Sequence, residues 1–157
     1  MEKMILLCGK SNAGKTITLK MLAALLFPSS RVIKYPRNGK TQIDLWIKIK
    51  KEMNEKKKSA SDFRTVVELR GKKIGIYSYG DDVNTIKEGI KYFQDNFCDI
   101  GVMPCHPDVK HFDILVPVYG EIITVFPKRK ASVVKEERYF ENISVATKLY
   151  QEVISSL

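Results

Sequence analysis

Cysteine is scarce in this sequence: Cys8, Cys98 and Cys105 are the only three in 157 residues. An odd number at irregular spacing builds no disulfide framework and fits reduced thiols in a reducing compartment. Long apolar runs are also missing. None approaches the roughly 20 residues that a membrane helix requires, and the longest candidate, after Lys15, is interrupted by polar residues. Met1-Glu2-Lys3 leads directly into an apolar strand-like segment, which is no secretory leader, so a cytoplasmic location and no membrane partner are expected. Internal repeats and low-complexity tracts are absent too. What remains is ordinary globular composition, 44% hydrophobic and 29% charged, at a length that suits one domain over residues 1–157.

Acidic residues are the other shortage. Eighteen Asp and Glu stand against 27 Lys and Arg, a formal net charge of +9. Clustered cations on one face would attract a nucleic-acid backbone. The densest cluster, Lys48 to Lys51 continuing to Lys56-Lys57-Lys58, is mixed with Glu52 and Glu55, the pattern of an exposed helix end and its loop. A site that handles polyphosphates, together with a solvated face, accounts for the charge as well. Nucleic acid is therefore possible as a partner but not favoured.

Two of the glycines stand in a loop that carries chemistry. Gly9 to Thr16 reads GKSNAGKT and matches G-x-x-x-x-G-K-[ST] at every required position. Met4 to Cys8 before it forms a short apolar strand. Lys15 to Phe27 after it carries Ile17, Leu19, Met21, Leu22, Leu25 and Leu26 and stops at Pro28, as a helix would. Gly9 and Gly14 allow the loop of Gly9, Lys10, Ser11, Asn12, Ala13 and Gly14 to curl, so that its N–H groups converge on an anion. The helix dipole adds to that field. Lys15 is the counter-charge for β- and γ-phosphates, and the Thr16 hydroxyl is placed to hold Mg²⁺.

On these residues the chain resembles the P-loop NTPase superfamily. The loop with Asn12 at its centre is similar to the G-x-x-N-x-G-K-[ST] form frequent in translation-factor-related GTPases. The N-K-x-D and D-x-x-G motifs of those GTPases do not occur here, so the resemblance reaches only to the superfamily. It implies a three-layer α/β P-loop NTPase fold, ATP (or GTP) as ligand, and Mg²⁺.

Along the rest of the chain, Arg31 to Tyr35 predicts a second strand. In Thr41 to Lys58, Ile43, Leu45, Ile47 and Ile49 alternate as a strand would, while Ile43, Trp46, Ile47 and Met53 fall on one helical face; the length and the Lys/Glu-rich end favour a helix. Ser59 to Asp62 is a loop. Phe63 to Leu69 and Lys73 to Tyr79, joined through Arg70-Gly71-Lys72, predict an antiparallel hairpin. Val83, Ile86, Ile90, Phe93 and Phe97 mark an amphipathic helix. Asp99 to Met103 predicts a buried strand, Cys105 to Tyr119 a loop-rich segment because of Pro107 and Pro117, Glu121 to Phe126 a strand, and Glu136 to Leu157 a final helix. The alternation implies a mainly parallel sheet of about five or six strands, covered on both faces, with ligands at the strands' carboxyl ends.

A phosphate loop needs a carboxylate to hold the hydrated metal. The strand Ile74 to Ser78 followed by Asp81 and Asp82 offers one, since a parallel strand ending beside the loop would bring Asp81 or Asp82 within reach of Thr16 and the metal. Asp81, with Thr16, is the expected metal side, and Lys15, Asp81 and Asp82 are the expected catalytic set. Asp82 or Asp81 also fits a plain helix cap before Val83. Ser78 could add a hydroxyl. Cys98, Cys105, His106 and His111 match no standard zinc spacing. Lys110, Lys128, Arg129 and Lys130 are candidates to meet a migrating phosphoryl group, and Arg37 and Lys40 to bind an acceptor. Three functions are compatible with this set: an NTP-dependent hydrolase or small phosphotransferase, a nucleotide-dependent switch binding a protein partner, and a nucleic-acid-associated ATPase.

Overall fold

Strand and helix alternate along the chain, save for one hairpin of consecutive strands, and build one six-stranded sheet with helices on both faces. The computed structural model describes residues 1–10, 13–36, 41–54, 61–80, 82–107, 109–129 and 132–157. In chain order the elements are β1 (Lys3–Cys8), α1 (Lys15–Leu26), β2 (Arg31–Lys34), α2 (Gln42–Asn54), β3 (Arg64–Leu69), β4 (Lys72–Tyr77), α3 (Val83–Asp95), β5 (Ile100–Cys105), α4 (Val109–Tyr119), β6 (Ile123–Pro127) and α5 (Lys135–Ser155). One 3₁₀ turn, Phe27–Ser29, follows α1 and a second, Gly120–Ile122, precedes β6.

The strand order is β2-β3-β4-β5-β1-β6. Pairings β4 with β5, β5 with β1 and β1 with β6 are parallel, whereas β3 runs antiparallel to both β2 and β4. The expected hairpin is present, Arg64 facing Tyr77 and Leu69 facing Lys72. Side chains alternate across β1 as the two-residue period requires. Ile5 and Leu7 join a core with α1, α2 and α5, while Met4 and Leu6 join a second core with α3 and α4. These two cores on opposite faces of one sheet make three layers. Helix α1 is buried along almost its whole length, with α2 and α5 packed on either side of it.

Four expectations are corrected. Cys105 to Tyr119 is not a loop, because Val109–Tyr119 forms α4, with Pro117 inside its last turns and Leu115 buried. A proline so near the carboxyl end forfeits one hydrogen bond without breaking the earlier turns. Strand β5 runs through Pro104 instead of stopping at Met103. Cys105 offers its carbonyl to Gly9 of the β1 side, so by alternation Pro104 turns its missing N–H toward β4, where pairing has already ended at Ile76–Val102. On α2, Leu45 and Ile49 are the buried pair, and Ile43 and Ile47 face solvent at 70% and 62% exposure. Finally, β4 does not border β1, since β5 lies between them.

Candidate functional site

At the carboxyl end of β1 the chain turns into α1 through Gly14, whose φ of +86° is open to glycine and strained for any other residue here. A Cβ on Gly14 would also stand 2.8 Å from Asn142 Oδ1 of α5. At Gly9 the constraint is space, because a Cβ would run into the Lys128 backbone carbonyl. Lys128 N–H in turn donates to the Cys8 carbonyl at 2.7 Å. The loop is thus backed by β6 and α5. Both of its glycines are required by neighbours as well as by any ligand.

Helix α1 has no side-chain cap and no acid in its first turn. Its leading N–H groups carry the positive end of the helix dipole. Lys15 is 7% exposed, and its ammonium donates to the Gly9 carbonyl at 2.5 Å, folded back across the loop it closes. Thr18 Oγ1 donates to the Gly14 carbonyl at 2.7 Å and secures the first turn. Lys10 is exposed at the loop's entry, and Ala13 is buried beneath it. Ser11 and Asn12 lie outside the described residues.

Among the described residues, the carboxylate that reaches Thr16 belongs to Asp62. Thr16 Oγ1 donates to Asp62 Oδ1 at 3.1 Å, and Ser78 Oγ lies 3.3 Å from the same oxygen. Ser78 is buried, with its Oγ accepting from Phe63 N–H at 2.7 Å and its own N–H donating to the Phe63 carbonyl at 2.9 Å. Because β3 is antiparallel, its beginning lies at the same sheet edge as the ends of β1, β4 and β5. Asp62 therefore enters the site from the start of a strand.

A second set of contacts holds that segment. Lys20, one turn beyond Thr16 and 1% exposed, donates to both Glu52 carboxylate oxygens at 2.8 and 2.7 Å and to the Ser61 carbonyl at 2.9 Å. Ser61 Oγ donates to Glu52 at 2.7 Å. Burial pulls the Lys20 ammonium below its ordinary range, against the pull of Glu52 in the other direction. The ion pair ties α1, α2 and the approach to Asp62 into one unit.

Asp82 does other work. Its side chain accepts from Thr85 N–H at 2.9 Å, and the Thr85 hydroxyl answers its backbone, a complete capping box for α3. Asp82 also follows β4, one strand removed from β1. Asp81 lies outside the described residues, as do Arg37, Lys40 and Lys130. Among the remaining cations, Lys110 is exposed on α4 and Arg129 is exposed after β6, while Lys128 is buried, which lowers its pKa. Cys98 and Cys105 sit at opposite ends of β5, too far apart to share one ion. Burial raises their thiols to about 11 and about 12, the second also through Cys8 beside it. His111 accepts the His106 N–H on Nδ1 at 3.0 Å, a contact that shapes the entry to α4.

No protein-family model matches this chain, and neither the curated proteins nor the solved structures contain a match. The site therefore has to be read from its own chemistry. Asp62 is the member that sequence reasoning passed over, since it stood in a loop ahead of a strand instead of at a strand's end. Asn142 is the other. It is buried in α5 with Oδ1 lacking a hydrogen-bond partner, and no linear signal connected it to Gly14. Among the described residues no group of three or more His, Cys, Asp or Glu could hold a metal by itself, and no helix is long and apolar enough to cross a membrane.

Proposed function

We propose that this chain binds a nucleoside triphosphate with Mg²⁺ at Gly9–Thr16 and hydrolyses it or transfers its terminal phosphoryl group, with ATP the favoured nucleotide. The observation that carries the reading is the pair formed by Thr16 and Asp62 at the uncapped start of α1. A hydroxyl and a carboxylate side by side are hard oxygen donors, the kind Mg²⁺ takes alongside phosphate oxygens and water. When bound, the ion would neutralise charge developing on the phosphates.

The chain's own groups divide the remaining tasks. The first N–H groups of α1 face the anion. Lys15, whose ammonium lies on the Gly9 carbonyl, turns to phosphate oxygens, trading a charge–dipole hydrogen bond for one between opposite charges. Asp62 keeps its orientation through Ser78, and its approach through Ser61 and the Lys20–Glu52 pair. Asp82 caps α3 in this reading.

Calorimetric titration with ATP and GTP, with and without Mg²⁺, followed by phosphate release, tests the proposal. Mg²⁺-dependent binding that weakens in Asp62→Asn and persists in Asp82→Asn is the expected result. Failure of either nucleotide to bind the native chain would overturn it.

A nucleotide-dependent switch is the second reading. It is favoured by the Lys20–Glu52–Ser61 lattice, through which the metal-side carboxylate is tied to α2 instead of to the sheet alone. Tight binding with no turnover would select it.

A further inference from the structure

Helix α2 has one broad apolar surface that the core uses only in part. Leu45 and Ile49 are buried against α1, Trp46 and Met53 pack half-buried beside them, and Ile43 and Ile47 are exposed. Alongside this surface a cleft of about 630 Å³ opens between α2 and the first turns of α5, floored by Trp46, Ile49 and Met53 and walled by Tyr139 and Phe140. In that wall Tyr139 is 41% exposed and Phe140 68%, so the cleft's apolar side is open to an incoming partner.

We propose that this cleft is the docking groove for an acidic amphipathic helix of a partner protein. Two helices flanking a buried third leave a channel whose shape receives another helix, with anchors spaced to match i, i+3, i+4 and i+7. Thirteen residues of α2 give the channel a length of about 20 Å. Charge selects the occupant. Lys50 and Lys135 line the groove and have no acidic partner within ion-pair distance among the described residues, Lys51 is exposed beside them, and Glu136 is the one acid in the lining. A second copy of this chain would set lysines against lysines, in a molecule of net charge +9. A flat bilayer does not fill a slot sunk between two helix ridges. An acidic helix satisfies both the apolar floor and the cationic rim. The inference is independent of the nucleotide site.

Trp46, the only tryptophan of the chain, lies in the groove and reports directly. The probe is a synthetic peptide of about 18 residues, five helical turns, with Leu on one face and Glu elsewhere. Saturable blue-shifting of Trp46 emission is expected, with binding about tenfold weaker in Tyr139→Asp and in Phe140→Asp, the scale of a lost anchor. Raising salt to about 1 M, where screening acts within ~3 Å, should weaken it further. Both substituted side chains are exposed, so circular dichroism should be unchanged. Phe140→Ala supplies a milder variant. The proposal is overturned by any of four results: no saturable shift, equal binding of the analogue with Lys in place of Glu, a dimer in sedimentation that Phe140→Asp disperses, or a response to phosphatidylserine vesicles where the peptide gives none.

Discussion

Helices α1 and α3 both begin at the carboxyl edge of the sheet, and they begin differently. The start of α3 is closed by its own sequence, with Asp82 accepting from Thr85 N–H and Thr85 answering the Asp82 backbone. The start of α1 has a glycine where α3 has an acid, and that glycine gives it no side-chain cap. Capping with an internal acid is worth about 1 kcal/mol to a helix. Forgoing it leaves oriented donors and a helix dipole that a ligand's phosphates can use. The contrast also shows why the neighbourhood of an acid matters more than its proximity in sequence to a strand end. Asp82 is spent on its helix, while among the described residues Asp62, just ahead of β3, is the carboxylate that meets Thr16.

The comparison can be broken in several places, beginning with the scaffold of the open junction. Glu52→Gln leaves the Lys20 ammonium buried without its counter-charge and should cost about 3 kcal/mol in chemical denaturation, the usual range for breaking one side of a buried pair. Lys15→Ala should weaken ATP binding by about 100-fold in calorimetry with the circular dichroism spectrum retained, as expected for removing a preorganised charge. An unchanged affinity would mean that α1 is open for some other reason. Gly14→Ala should destabilise by about 2 kcal/mol through positive φ and the Asn142 contact, measured by thermal unfolding. Asp82→Ala should cost about 1 kcal/mol of stability and leave Mg²⁺-dependent binding intact. Asp62→Asn should do the reverse, lowering affinity in Mg²⁺ about tenfold with a stability change within about 0.5 kcal/mol, as for other surface substitutions. If the last two variants exchange phenotypes, the assignment of the two junctions is inverted.

The strand–loop–helix run from Met4 to Leu26 was legible in the sequence because three local signals agree there: an apolar strand, a glycine loop and a periodic helix. The β3–β4 hairpin was legible for the same reason, its turn chemistry matching its flanks. Asp62 was not. Reading direction along a strand cannot reveal that β3 runs antiparallel to its neighbours, and so brings a strand's beginning to the edge where other strands end. Helix α4 was hidden by Pro117, which breaks a helix pattern in one dimension but falls in the last turns in three. On α2, Ile43, Trp46, Ile47 and Met53 share a face by spacing, yet Ile43 and Ile47 are exposed while Trp46 and Met53 pack against the core, and periodicity alone does not say which side the protein turns inward.

The sheet order has one more consequence, in terms of the chain's history during synthesis. Strand β1 leaves the ribosome first, yet both of its partners, β5 and β6, come about 100 residues later. Hairpin β3–β4 needs only local contacts and can close early, bringing Ser78 to Phe63 beside Asp62. The loop that begins at Gly9 acquires its backing from Cys105 and Lys128 only once the chain has been made that far. One half of the candidate site is thus a local product, assembled while translation continues. The other half is a long-range product that waits for Cys105 and Lys128, so competence to bind at this loop would report that β5 and β6 have paired with β1.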